Sequence, residues 1–173
     1  MKLKSLTLLT LGICVALANL GFARILNVPG DFNTIQAAVN AAQNTDTILV
    51  AEGVYEENLI IRGTSLSLIG DRDHPEQVVI DGSNGGSVIL FTGLCSEPWL
   101  IAGFTLRNGT GSLSGNSTWG GALSIRGTIE SFEPPQIEDC VFLGNTAVCG
   151  SAIFSSGAVP SIYRSVFRDN HAT

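Results

Sequence analysis

Apolar residues in this chain come in short blocks with glycines and polar residues between them, and only one stretch has helical spacing. The blocks are Ile48-Leu49-Val50, Leu59-Ile60-Ile61, Leu66 to Ile69, Val78-Val79-Ile80, Val88 to Phe91, Leu100 through Leu106 and Ala122 to Ile125. Gly53, Gly63, Gly70, Gly82, Gly93, Gly109 and Gly127 punctuate them. Such runs predict short strands with tight turns. Ile25 to Val28 predicts a first strand, closed by Pro29-Gly30. The helical stretch is Asn33 to Gln43, where Ile35, Ala38, Val39 and Ala42 share one narrow face. Asn33 is the expected cap, with Gln36 reaching back to it.

Near the C-terminus the pattern repeats. Ile137, Cys140, Phe142, Asn145 and Ala147 recur 25 residues later as Ile162, Ser165, Phe167, Asn170 and Ala172. A unit this short cannot bury its own apolar face, so it must stack on copies of itself. The stack predicts a strand at Cys140-Val141-Phe142 whose Cys140 and Phe142 point inward over Ser165 and Phe167. Asn145 and Asn170 fall at the following bend, where an amide bonds turn backbone and its own copy one unit away. Leu68 to Leu90 and Ile80 to about Ala102 are each 22 residues apart, which extends the period upstream. Two polar stretches, Asn108 to Trp119 and Thr128 to Pro135, are expected to protrude as loops, the usual place for recognition.

Composition then narrows the class. At 173 residues the chain is long enough for one domain. Its only lysines are Lys2 and Lys4, so the remainder sets seven Arg against fifteen acidic residues and argues against nucleic acid as a partner. Met1 to about Ala23 has the charged start, apolar run and small-residue end of a secretory signal. That run is too short for a membrane span, and Cys14 inside it follows Ile13 where a lipidated cysteine needs a small residue. The expected organisation is a signal over 1–23, a cap with the amphipathic helix over 24–46, and stacked repeats over 47–173. The repeats end without a closing element and so are expected to continue past Thr173. An extracellular or cell-surface location follows from the signal. Cys95, Cys140 and Cys149 are odd in number, so at least one is free or pairs outside this chain. Cys140 with Cys149 stays open as a pair.

The segment Asp31-Phe32-Asn33-Thr34-Ile35-Gln36-Ala37-Ala38-Val39, followed by Ile48 through Leu59, resembles the opening of right-handed parallel β-helix proteins of the pectin-lyase-like superfamily, pectinesterases above all. Gly120-Gly121-Ala122-Leu123 and Gly150-Ser151-Ala152-Ile153 alternate with Phe142-Leu143-Gly144-Asn145 and Phe167-Arg168-Asp169-Asn170. That alternation resembles the GGA and FxxN repeats of polymorphic outer membrane proteins, exported surface proteins linked to adhesion. The resemblance implies an all-β, right-handed single-stranded parallel β-helix with an N-terminal capping helix.

Sugar-active β-helix enzymes work with carboxylates, arginines or calcium on an outer face. The candidates here are Asp81, Glu138, Asp139, Arg164, Arg168 and Asp169, with Asp139 aligned opposite Arg164 one repeat away. Neither the Arg-x-Trp-Gly-Pro segment of pectinesterases nor the Gly-His-Gly of polygalacturonases occurs, and His74 beside Pro75 reads as a turn residue. Trp99 and Trp119 suit either sugar stacking or shielding of a strand edge. No catalytic set, metal site or cofactor is therefore expected, with calcium left open but unsupported by any motif. The sequence reads as a non-catalytic exported scaffold, with Trp119, Asp139, Arg164 and Arg168 as binding candidates for a polysaccharide or surface partner. The competing reading is a polysaccharide-active lyase, esterase or hydrolase.

Overall fold

The computed structural model describes residues 22–129 and 134–173. The expected signal, with Cys14, falls almost wholly outside the described residues, as do residues 130–133 of the second expected loop.

The chain begins with β1 (Ile25–Val28) and α1 (Ile35–Ala41) and then runs through short strands. Those strands are β2 (Thr47–Val50), β3 (Gly53–Glu56), β4 (Leu59–Arg62), β5 (Ser67–Ile69), β6 (Val78–Asp81), β7 (Ile89–Cys95), β8 (Leu100–Ala102) and β9 (Thr105–Arg107). They continue as β10 (Ser112–Ser114), β11 (Ser117–Trp119), β12 (Leu123–Ile129), β13 (Gln136–Glu138), β14 (Val141–Leu143), β15 (Thr146–Ala147), β16 (Ile153–Ser155), β17 (Ser161–Tyr163), β18 (Val166–Arg168) and β19 (His171–Ala172). Three long parallel sheets result, ordered β1-β2-β5-β8-β13-β17, β3-β6-β9-β14-β18 and β4-β7-β12-β16, and β15 pairs in parallel with β19 beside them. The chain visits them in rotation, so each full circuit between β2 and β16 adds one strand to every sheet.

Alternation along each strand turns one set of side chains toward the middle. In the first sheet Ile48, Leu68, Ile101 and Ile137 lie in register and are fully buried. Ile80, Leu106 and Phe142 do the same in the second sheet, and Ile61, Phe91 and Ile125 in the third. At the first end α1 packs Ile35, Ala38 and Val39 onto this core.

Several expectations are corrected. Leu68 pairs with Ile101 and Ile80 with Leu106, whereas Leu90 lies on β7 in the third sheet; the 22-residue spacing joins different sheets. The intervals are uneven because connections between sheets differ in length. One connection holds the antiparallel β10–β11 hairpin, formed where a loop over Asn108 to Trp119 was expected. At the Thr128 to Pro135 loop, β12 stays paired with β7 as far as Ile129 and Cys95, so the connection starts later. The block from Leu100 to Leu106 is two strands, bent at Gly103 with φ 76°. Cys140 is not in a strand, because Asp139 at φ 52° turns the chain between β13 and β14; it fills the corner, almost fully buried. The helix is shorter than expected and capped by Thr34, whose hydroxyl accepts the Ala37 N–H at 3.1 Å. Gln36 turns away from that cap toward β4.

Candidate functional site

Stacked corners decide where the charged side chains meet. Between the first and second sheets, Gly70, Gly103, Asp139 and Arg164 follow β5, β8, β13 and β17 at equivalent positions. A Cβ on Gly103 would stand 2.6 Å from the Asp71 carbonyl carbon and 2.7 Å from the Arg72 nitrogen. Its absence lets the 71–72 backbone lie against the corner, and from there Arg72 reaches two strands along the sheet. Arg72 Nε donates to Asp139 Oδ2 at 2.7 Å, and its Nη2 to Glu138. From the other side Arg164 Nε donates to Asp139 Oδ1 at 2.6 Å, and its Nη2 to Asp139 Oδ2 at 3.1 Å and Glu138 Oε2 at 3.2 Å.

The Asp139 carboxylate is thus clamped between two guanidiniums. The Arg164 hydrogen bond, reinforced by Arg72 and opposed by burial, holds it down at about 2. A carboxylate so far below neutrality cannot serve as a general acid, and both arginines already face acidic partners. Beside Arg72 lies an open groove of about 390 Å³, lined by Glu52, Asp71, Arg72 and Gln77 over Val50 and Val78. Its side chains suit hydrogen bonding to hydroxyl groups.

The other candidates lie apart from this corner. Arg168 is exposed on β18, in register with Leu143 on the second sheet. Asp169 forms the next corner at φ 53°. Asp81 is buried, which raises its carboxyl, but hydrogen bonds from the Ser83 N–H, Asn108 and Arg107 outweigh this and lower it. Trp119 ends β11 and stands edge-on to Phe154, centroids 4.4 Å apart. Its Nε1 is buried without a hydrogen-bond partner. Trp99 is 2% exposed and stacks on Phe91 at 4.5 Å, so it is core and offers no face to a sugar. The His74 N–H donates to Asp71 Oδ1 at 2.9 Å, in a turn.

The repeat residues form a connected column. Phe142 and Phe167 stack at 4.7 Å, nearly parallel. The Cys140 N–H donates to Ser165 Oγ at 3.2 Å. The Gly109 N–H donates to Asn145 Oδ1 at 2.9 Å, and the Asn145 N–H in turn to Asn170 Oδ1 at 3.0 Å. Asn145 Nδ2 reaches Leu106 O, and Asn170 Nδ2 reaches Phe142 O. Cys95, Cys140 and Cys149 are free thiols, and burial pushes Cys140 up to about 11.

Arg72 is the member of the clamp that sequence reasoning missed. It stands 67 positions from Asp139, across two intervals of unequal length, so alignment of the repeat does not bring it in. Its one signal is Gly103, a glycine at the turn inside a long apolar block.

Among the described residues no helix is long and apolar enough to cross a membrane, and no group of three His, Cys, Asp or Glu is placed to hold a metal ion. No family model, curated protein or solved structure matches the chain.

Proposed function

We propose that this chain is an exported right-handed parallel β-helix that acts as a non-catalytic interaction scaffold at the cell surface or outside the cell. The rotation of strands through three parallel sheets supports the helix, and parallel crossovers within one sheet are nearly always right-handed. The charged, apolar and small-residue sequence of residues 1–23 supports export. The observation that carries the scaffold reading is Asp139 between Arg72 and Arg164: a largely covered carboxylate that ties circuits together. Asp46, bound by Arg24 and the Gln43 N–H, and Asp81, bound by Arg107 and Asn108, are used in the same way. The groove beside Arg72 is the surface we assign to a polysaccharide, whose hydroxyl groups would donate to the Glu52 and Asp71 carboxylates and bond the Gln77 amide.

Incubation with pectin, alginate and neutral glucans tests this. The expected result is retardation in a polysaccharide affinity gel, weakened by Gln77→Ala together with Glu52→Ala, with no new reducing ends and no unsaturated uronate. Robust turnover would establish the enzyme reading instead.

A further inference from the structure

The groove beside Arg72 has a charge pattern that sets which sugars it can hold. It lies on the first two circuits of the corner that carries Asp139 and Arg164, between residues 50–52, which join β2 to β3, and the turn that joins β5 to β6. Arg72 is the basic residue of its lining, set against the acids Glu52 and Asp71. That guanidinium is already engaged two circuits further along, where Nε donates to Asp139 Oδ2 at 2.7 Å and Nη2 donates to Glu138. His74, on the same turn, stands 3.5 Å from Glu76. The acids are differently placed. Glu52 is exposed, Asp71 is half-buried with its Oδ1 accepting the Asp73 and His74 N–H groups at 2.9 Å each, and Asp73 and Glu76 are exposed beside it. A carboxylate entering the groove therefore meets like charge, and the arginine that would attract it is neutralised from the far side.

We infer that this groove is selective for uncharged glycans and rejects polyuronates, with Glu52 and Asp71 as the residues that discriminate. Resting on the assignment of the groove to a polysaccharide, this selectivity follows from what each kind of sugar offers. Hydroxyl groups of a neutral sugar donate to the two carboxylates, and the Gln77 amide both donates and accepts. A uronate ring has the same hydroxyls together with a fixed negative charge, which both carboxylates repel. Discrimination comes from that repulsive element rather than from a contact peculiar to the preferred ligand. The net charge of −6 acts in the same sense at longer range.

Two matched polymer pairs serve as probes: hydroxyethylcellulose against carboxymethylcellulose, and methyl-esterified homogalacturonan against the same polymer de-esterified. In affinity gels the neutral member of at least one pair is expected to retard the chain, and its acidic counterpart to bind on the order of tenfold more weakly. Salt at about 1 M, where charges are screened beyond about 3 Å, narrows the gap. Glu52→Gln narrows it as well, and Glu52→Lys reverses it, with retention by the acidic polymer then falling as salt rises. Releasing Arg72 with Glu138→Gln and Asp139→Asn, together with Arg164→Gln to leave no second freed cation, moves the ratio in the same direction. If that triple variant does not fold, the substitutions at exposed Glu52 decide the matter. Equal retention by both members of a pair, still lowered by Gln77→Ala, overturns the selectivity and leaves the polysaccharide assignment standing. A ratio that Glu52→Lys does not move also overturns it. Retention by no neutral polymer overturns the selectivity and the assignment together.

Discussion

The first and the last described circuits differ in what lies against them. At the first end, edge strands and core are closed by residues outside the repeat. Gln36 accepts the Ile60 N–H at 2.7 Å and donates to Ile60 O at 3.1 Å, so one side-chain amide replaces a neighbouring strand along the edge of β4. Glu57 accepts the Ile35 and Gln36 N–H groups at 2.9 and 2.8 Å, which fixes the helix where it can bury Ile35 and Ala38. Arg24, clipped to Asp46 and Ala41 O, ties the start of β1 to the end of α1. At the last circuit Ile162 and Phe167 repeat Ile137 and Phe142 and have nothing over them among the described residues. The first circuit, by contrast, is covered by residues that do not belong to the repeat. Closure needs side chains that imitate backbone.

The largest expected effect breaks the comparison at its aromatic pair. Phe142→Ala is expected to cost about 3–5 kcal/mol in urea unfolding, and Phe167→Ala only about 1 kcal/mol, since one ring is buried and the other half open. Next comes the amide column. Asn145→Ala leaves the Gly109 N–H without its partner in a buried setting and removes a second donor from Leu106 O; it is expected to cost about 2–3 kcal/mol, clearly more than Asn170→Ala. Gln36→Ala uncovers one edge of β4; it is expected to cost about 1–2 kcal/mol and to speed amide exchange at Ile60 and through α1.

The smallest effect concerns pH. Asp139 is depressed to about 2, so the stability it contributes is complete above its ordinary value of 3.8 and is lost as pH falls through about 2. Asp139→Asn is expected to flatten that acid limb, by on the order of 1 kcal/mol because Arg72 and Arg164 are largely exposed. Unfolding midpoints measured between pH 5 and pH 2 check it.

The sequence made one part of this molecule readable and hid another, for physical reasons. Where two circuits have equal connections, residues 25 apart fall in register, and Ile137 over Ile162 or Phe142 over Phe167 follows from counting. Upstream, the β10–β11 hairpin and the turn before β6 lengthen single circuits, so a fixed period misassigns Leu90 and Ala102. Gly53-Val54-Tyr55-Glu56 went unread as β3 because it has no apolar block: Val54 faces out and only Tyr55 turns inward, partly buried. In the candidate site, Asp139 opposite Arg164 was legible from the repeat, but Arg72 was not. Trp119 and Trp99 differ only in what surrounds them, and one-dimensional pattern carries no record of that.

The central claim is that successive circuits lie like residue over like. It is tested most directly by nuclear Overhauser contacts in the labelled chain. The account predicts strong cross-peaks between the Phe142 and Phe167 rings, whose centroids lie 4.7 Å apart, together with contacts between the Asn145 and Asn170 side-chain amides. A spectrum that places Phe142 against some other residue, with no contact to Phe167, would contradict it.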